Sequence, residues 1–262
     1  VINGGKHSSN NLDFQEFMIM ANRDSIKEQL EVCGNIFHHL KAILLSKNYS
    51  VNVGDEGGFA PNLKNNEEAI EFIIEAIKKA NYIPGVDVFI CLDVAATSLY
   101  DKKTNTYLVN KTKLTREKLI SMYQKLVKKY PIYSIEDPFY EEDFEGFSIL
   151  RKLLPIQIVG DDLFTTNKKL LQKGIDLHAG NAILIKANQI GTISEMLETI
   201  KLAKENNYNV IISHRSGETE DTFISDLAVG LSISLMKSGS LSRGERICKY
   251  NRLIRIEEKL KN

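Results

Sequence analysis

Several apolar stretches of the sequence end in side chains that could do chemistry. The stretches are rich in Val and Ile, as strands buried on both faces of a sheet usually are. They terminate at Asp93, Glu136, Asp161, Lys186 and the pair Ser213-His214. Since the carboxyl ends of parallel barrel strands lie on one face, we expect these side chains to converge. Converging carboxylates repel one another unless they share a cation, and all-oxygen ligation favours Mg²⁺.

One strand-terminal Asp more often caps a helix or accepts a loop amide than binds a metal. Three acidic residues in successive strands, Asp93, Glu136 and Asp161, favour the metal site. Lys186 follows a buried apolar run, and partial burial beside a cation would lower its pKa and make it a general base. Lys237, which ends another apolar segment, is the candidate neighbour. The alternatives for Lys186 are an outward-pointing side chain or an ion pair with Asp161.

Arg215 and Ser216 follow directly after the strand that ends at His214. The planar guanidinium of Arg215 suits a phosphate or carboxylate, and the Ser216 hydroxyl adds a neutral donor. The alternative is an ordinary loop with a solvated arginine. Within this stretch alone, the two interpretations are about equally supported.

Two glycine-rich segments carry further candidates. Glu56 lies in Gly-Asp-Glu-Gly-Gly, where glycines permit close approach to a ligand, so it could be an acid facing a cleft; an acidic turn is the alternative. His7 lies in a Gly-Gly-Lys-His loop that could contact a phosphate. The polar pair Gln15-Glu16 follows soon after.

The elements that position these residues alternate along the chain. After Glu136 the strand-ending residues recur at intervals of 25 to 28 positions, enough for one strand, one helix and two loops. Helices are predicted over 67–79, with Asn65 or Asn66 as cap, over 115–129, and after a capping box at Thr192. The last helix should bury Ile193, Met196, Leu197, Ile200 and Ala203, and the second Leu119, Met122 and Leu126. The pattern predicts an α/β fold with one TIM-type barrel domain over residues 1–262, rather than an open doubly wound sheet.

Bulk properties exclude several classes of protein. The 262 residues carry 34 basic and 34 acidic side chains, so no net field points to nucleic acid or a membrane surface. Three widely spaced cysteines are typical of reduced thiols in a cytosolic protein. No apolar run approaches the roughly 18 residues of a membrane span. The sequence opens without Met on what looks like the tail of a strand, so we expect residues upstream of Val1.

The same residues stand in motifs that resemble the enolase family along essentially the whole chain. These motifs are GGKHSSN with QEFMI, VGDEGGFAPN, LDVAA, SIEDPF, VGDDLF, LIKANQIG, SHRSGETEDTFISDLAVG and KYNRLIRIEE. The resemblance implies an enolase-like TIM barrel, incomplete at its first strand and at its C-terminal end. It also implies that the N-terminal α+β domain of enolases is absent from this chain.

The resemblance further implies a phosphopyruvate hydratase, a carbon–oxygen lyase of glycolysis that converts 2-phospho-D-glycerate to phosphoenolpyruvate with Mg²⁺. By its motifs, Lys186 would remove the C2 proton and Glu56 would protonate the departing hydroxide. The metal would be held by Asp93, Glu136 and Asp161. The substrate would be bound by His7, Gln15, Glu16, His214, Arg215, Ser216 and Lys237.

The family resemblance also implies a cytoplasmic homo-oligomer, a dimer or an octamer. Because the N-terminal lid is absent, we expect residues 1–262 alone to show little turnover. Two alternatives stay open. A different lyase of the superfamily predicts a Lys-x-Lys pair or a His–Asp base arrangement near the strand ends; the other alternative is a non-catalytic binding or structural protein. The one such pair, Lys111 and Lys113, lies in a polar stretch before a helix.

Overall fold

The computed structural model describes residues 1–261, in which helices and strands alternate. The strands are β1 Ile2–Asn3, β2 Glu16–Ala21, β3 Val88–Asp93, β4 Tyr100–Asp101, β5 Thr106–Val109, β6 Thr112–Leu114, β7 Ile132–Glu136, β8 Gln157–Gly160, β9 Ala182–Ile185, β10 Asn209–Ser213 and β11 Leu235–Lys237. The helices are α1 Ile26–Ser46, α2 Asn66–Lys79, α3 Arg116–Lys129, α4 Phe144–Leu153, α5 Lys168–Asp176, α6 Ile193–Glu205, α7 Phe223–Gly230 and α8 Gly244–Lys261. The alternation confirms the predicted α/β class.

The described residues form two compact units. The first contains Val1–Leu92, Arg215–Leu227 and the stretch that starts at Ser238. The second contains Asp93–His214 and Ala228–Lys237. The prediction of a single catalytic domain stays a prediction.

The second unit is built on a parallel ladder in the order β7-β8-β9-β10-β11. Pairs such as Glu136 with Val159 and Ser213 with Lys237 set its register. All four residues of β8 and of β9 are buried, as predicted for strands covered on both faces. A small antiparallel sheet, β4-β5-β6, precedes α3 in the same unit.

The first unit contains β1, β2 and β3 up to Leu92, with α1, α2 and α8. β1 and β2 pair antiparallel, with Ile2 opposite Phe17. The physical reason is the short connection over residues 4–15, since a parallel pair needs a long crossover that usually contains a helix. Phe37 and Phe59 stack at 4.3 Å between ring centroids in the core of this unit.

The predicted helix boundaries agree closely with those observed. Asn65 is the cap of α2, because its side chain accepts the backbone N–H of Glu68 at 2.9 Å. The predicted cap of α6 is also present: the Thr192 hydroxyl accepts the backbone N–H of Glu195 at 3.2 Å and donates to the Glu195 carboxylate at 2.7 Å. No helix within residues 1–261 has the length and apolar character needed to cross a bilayer.

Two buried faces differ from the prediction. On α6, Met196, Ile200 and Ala203 are buried as predicted, whereas Ile193 and Leu197 are 44% and 39% exposed. α6 packs against α5, β9 and β10, and Ile193 and Leu197 lie outside its buried stripe. On α3, Tyr123 is buried where the prediction named Met122, which is only half-buried.

The cap at Thr192 gives a prediction for stability. We expect Thr192→Ala to lower the free energy of unfolding by about 1 kcal/mol, because the first turn of α6 loses an acceptor for a backbone N–H. Thr115→Ala is the matched control. Thr115 also precedes a helix but caps no backbone N–H, since its hydroxyl bonds the Glu117 carboxylate. Urea denaturation should show a loss for Thr115→Ala less than half as large; equal losses would contradict the assigned cap.

Candidate active site

In the second unit, two lysines lie among the predicted metal-binding carboxylates. The Lys237 ammonium contacts both oxygens of Glu136 at 2.9 and 3.0 Å and Asp93 at 3.4 Å. The Lys186 ammonium donates to Asp161 Oδ2 at 2.5 Å. The three carboxylates are buried. Glu136 and Lys237 both influence the pKa of Lys186, so the two ion-paired groups form one electrostatic cluster.

Strand register explains this assembly. Glu136 is the last residue of β7, while Asp161 and Lys186 each follow the last residue of a strand in the same parallel ladder. Lys237 ends β11, opposite Ser213. The residue after Ser213, the buried His214, donates its backbone N–H to the carbonyl of Lys237 at 3.0 Å. The second unit thus holds six of the predicted site residues: Asp93, Glu136, Asp161, Lys186, His214 and Lys237.

Asp137 and Asp162 complete an acidic group that the sequence analysis missed. The ligand oxygens of Asp137, Asp161 and Asp162 lie within 4.8 Å of one another. The Asp137 carboxylate accepts the backbone N–H groups of Asp161 at 3.0 Å and Asp162 at 2.7 Å. Burial and the charge of Asp161 raise the pKa of Asp137 well above its usual value and that of Asp162 to about 6. The paired acids in the Glu-Asp and Asp-Asp motifs were the available signal.

This donor set fits a hard divalent cation. Every acidic ligand is a carboxylate, which Mg²⁺ prefers over nitrogen or sulfur donors. Within residues 1–261, the buried Oδ1 of Asp161 has no hydrogen-bond donor, although a buried polar atom normally has a partner. Of the three predicted ligands, Asp161 is the one that belongs to this group of three acids.

The predicted low pKa of Lys186 is wrong in this state of the protein. Burial does lower it, and the Lys237 charge acts in the same direction. The attraction and hydrogen bond of Asp161, together with the charge of Glu136, outweigh both effects and raise the pKa of Lys186 above its usual value. The ion pair that the sequence left open as an alternative is the arrangement observed.

In the first unit, His7 lies between two buried carboxylates. Its Nδ1 is 3.5 Å from Glu16 Oε1 and 3.4 Å from Glu56 Oε2. His7 ends a short 3-10 helix, Gly5–His7, in the predicted glycine-rich loop. Glu16 opens β2, directly after the half-buried Gln15. A histidine nitrogen and two carboxylates at this distance can exchange a proton or share a cation.

The backbone around Glu56 is held on both sides. Gly57 has φ +83°, a conformation that favours glycine, and a side chain at that position would meet the Ser242 carbonyl. The Glu56 carbonyl accepts the backbone N–H of Ser240 at 2.8 Å. Gly57 is therefore needed for the backbone conformation that holds Glu56 in place.

Arg215 and Ser216 lie on a segment that two buried cations of α8 clamp. Arg246 donates to the carbonyls of Arg215 and Ser216, each at 2.7 Å, and to that of Asp55 at 3.0 Å. Arg246 therefore joins this segment to the one that carries Glu56. Sequence reasoning missed this arginine, since an arginine in an amphipathic helix gives no sign that it is buried.

The second cation is Lys249, one turn further along α8. It donates to the carboxylate of Glu218 at 2.9 Å and to the Thr219 carbonyl at 2.5 Å. Glu218 in turn accepts the backbone N–H of Arg215 at 3.1 Å. The side chain of Arg215 is half-buried and Ser216 is exposed, so the clamp fixes their backbone and leaves their side chains at the surface of this unit.

The clamp gives a prediction for stability. Arg246→Met should lower the free energy of unfolding by about 3 kcal/mol, because three backbone carbonyls lose the buried guanidinium that donates to them. Arg252→Met is the matched control on the same helix, since Arg252 pairs with Asp226 at the exposed surface. Denaturant titration should show a far smaller change for the control. Similar losses for the two variants would contradict a structural clamp at Arg246.

A comparison with known families agrees with this geometry. The sequence model of the family described as "Enolase, C-terminal TIM barrel domain" matches residues 1–262, the whole of the chain. The strand-terminal acids and lysines lie in the matched region, as do His7, Glu56 and Arg215. The chain therefore belongs to the enolase C-terminal TIM barrel domain family.

Proposed function

We propose that this protein catalyses the Mg²⁺-dependent dehydration of 2-phospho-D-glycerate to phosphoenolpyruvate. Family membership supports a lyase of the enolase superfamily. The observation that carries the finer proposal is the Lys186 ammonium, which lies 2.5 Å from Asp161 within a cluster of strand-terminal carboxylates. A proton-transferring group beside cation-binding acids is the arrangement needed to remove a proton next to a carboxylate.

The proposed metal ligands are Asp93, Glu136 and Asp161. Bound there, Mg²⁺ would supply positive charge that makes the proton next to the substrate carboxylate easier to remove. Asp137 would keep the Asp161 backbone in place through its two amide contacts. Lys237 would bind the carboxylate side of the substrate, since its ammonium already attracts carboxylates.

Lys186 is the proposed base at C2. A base must be unprotonated, whereas the ion pair with Asp161 favours the protonated lysine. Asp161 would hold that proton less strongly once its own charge is shared with a cation. A lysine or histidine base with Mg²⁺ is the established pairing in enolase-superfamily sites, and the proposal adopts that pairing for this chain.

The proposed roles in the first unit follow the family resemblance. Glu56 would be the acid that protonates the departing C3 hydroxide. His7 lies close to it, with its Nδ1 3.4 Å from Glu56 and 3.5 Å from Glu16. Arg215 and Ser216 would hold the phosphate, because a guanidinium and a hydroxyl are suitable donors to its oxygens. Gln15 and His214 would complete substrate binding. A homo-oligomer in the cytoplasm belongs to the same proposal.

The alternative of a different superfamily lyase gains no support from its Lys-x-Lys pair. Lys111 and Lys113 are exposed, and Lys113 lies in β6 of the small antiparallel sheet. Lys113 pairs with Asp101 at 3.8 Å. Neither lysine follows a strand of the parallel ladder, so neither has the predicted position of that alternative base.

The proposed acid and base can be separated by exchange of the C2 proton with solvent deuterium. In the full-length protein, Lys186→Ala should abolish this exchange and lower product formation by about 10²- to 10⁴-fold, because no other base replaces the amine. Glu56→Gln should retain the exchange and lose product formation, since only the second step needs the acid. Lys201→Ala, at an exposed lysine, should change neither. Retained exchange in Lys186→Ala would place the base elsewhere.

The metal site can be tested without turnover. Asp161→Asn should weaken Mg²⁺ binding, measured by isothermal titration calorimetry, by at least about tenfold because a ligand charge is lost. Asp176→Asn, at an exposed residue of α5, is the control and should bind Mg²⁺ as the wild type does. Unchanged affinity in Asp161→Asn would exclude this carboxylate as a ligand.

A further inference from the structure

The turn between β8 and α5 forces two consecutive threonines into a left-handed backbone. Thr165 has φ 45° and Thr166 has φ 57°. A β-branched residue rarely adopts this conformation, and glycine or asparagine would adopt it more easily. Strained residues of this kind cluster at functional sites, where surrounding contacts hold them. The contacts of Thr166 therefore indicate what its side chain does.

The Thr166 hydroxyl closes a ring of hydrogen bonds around Lys186. Its oxygen accepts the backbone N–H of Lys186 at 3.0 Å, and it donates its own proton to Gln189 Oε1 at 2.8 Å. The backbone N–H of Gln189 returns to the Lys186 carbonyl at 3.0 Å. Thr166 is fully buried, and its carbonyl accepts the Thr199 hydroxyl at 2.9 Å. Both peptide groups that flank Lys186 are thus fixed by one ring.

The ring supplies a hydrogen-bond acceptor for the Lys186 backbone N–H that the sheet does not provide. β9 ends at Ile185, so Lys186 is the first residue beyond the strand and its N–H needs another acceptor. A lysine in a free loop could take many directions. With its backbone held, the Lys186 side chain ends 2.5 Å from Asp161.

The same turn also carries Asp161. The Asp161 carbonyl accepts the backbone N–H groups of Phe164 at 3.1 Å and Thr165 at 2.7 Å. One short segment therefore has Asp161 at its start and the acceptor for the Lys186 backbone at its end. The spacing of the two charged groups depends on the conformation of this turn.

From this geometry we propose that Thr166 is the positioning residue of Lys186, which sets the direction of the amine through the Lys186 N–H and Gln189. The inference rests on the proposed function in one respect, namely that Lys186 takes the substrate proton. Thr166 touches no reacting atom in this account. Its hydroxyl, rather than its bulk, is the group that acts.

The experiment compares Thr166→Val, which keeps the shape and loses the hydroxyl, with Thr166→Ser, which keeps the hydroxyl. Thr166→Ala is a second hydroxyl-free variant that adds no volume, in case the valine variant fails to fold. The first readout is hydrogen–deuterium exchange of the Lys186 amide in the full-length protein without ligands. The second is kcat and KM with 2-phosphoglycerate and Mg²⁺.

We expect the hydroxyl-free variants to exchange the Lys186 amide about tenfold faster or more, because its acceptor is gone. The Val94 amide, bonded to the Glu136 carbonyl, should keep its wild-type exchange rate as an internal control. We expect kcat to fall by about 10- to 100-fold with KM unchanged, since a misdirected base impairs proton removal more than binding. Thr166→Ser should restore both readouts.

The positioning role would be overturned by unchanged amide exchange in the hydroxyl-free variants, or by faster exchange with wild-type kcat. A fall in kcat that serine does not restore would also overturn it. A wild-type protein that does not exchange the C2 proton would instead refute the proposed function. That failure is visible before any variant is made, so the two are distinguishable.

Discussion

Compensation of buried charge is the constraint on which the second unit depends. Asp93, Glu136 and Asp161 are withdrawn from water, and a buried carboxylate is costly unless a cation or hydrogen-bond donors face it. Lys186 and Lys237 supply the cations from the carboxyl ends of β9 and β11, two strands of the same ladder. Asp137 relies on two backbone amides instead, and its raised pKa reflects that weaker compensation.

In the first unit the buried charges that need partners are cations. Arg246 and Lys249 are cations with almost no exposure to solvent, and they donate hydrogen bonds to backbone carbonyls and to Glu218. Their partners lie on loops, which have few other contacts to hold them. Each buried charge therefore fixes the backbone of a segment that carries proposed site residues, so the cost of burying the ion is offset by several hydrogen bonds.

The sequence predicted what local patterns determine. Runs of β-branched residues placed the ends of β7 and β9 within a residue, and the side chains of Asn65 and Thr192 identified the first turns of their helices. The prediction that Ile193 is buried was wrong, because the sequence does not report how much of the α6 surface the neighbouring elements cover. Local patterns do not give the distance between side chains on different segments. The sign of the pKa shift at Lys186 depends on how closely Asp161 approaches, which no spacing along the chain reports.

The clamp on the 215–219 segment has a consequence for how the protein matures on the ribosome. Arg215 is synthesised 31 residues before Arg246, which holds its carbonyl. At a translation rate of about 5 to 20 residues per second, Arg246 is synthesised about 1.5 to 6 seconds after Arg215. Until that helix is made, the carbonyls of the 215–219 segment lack the donors that hold them in the folded protein.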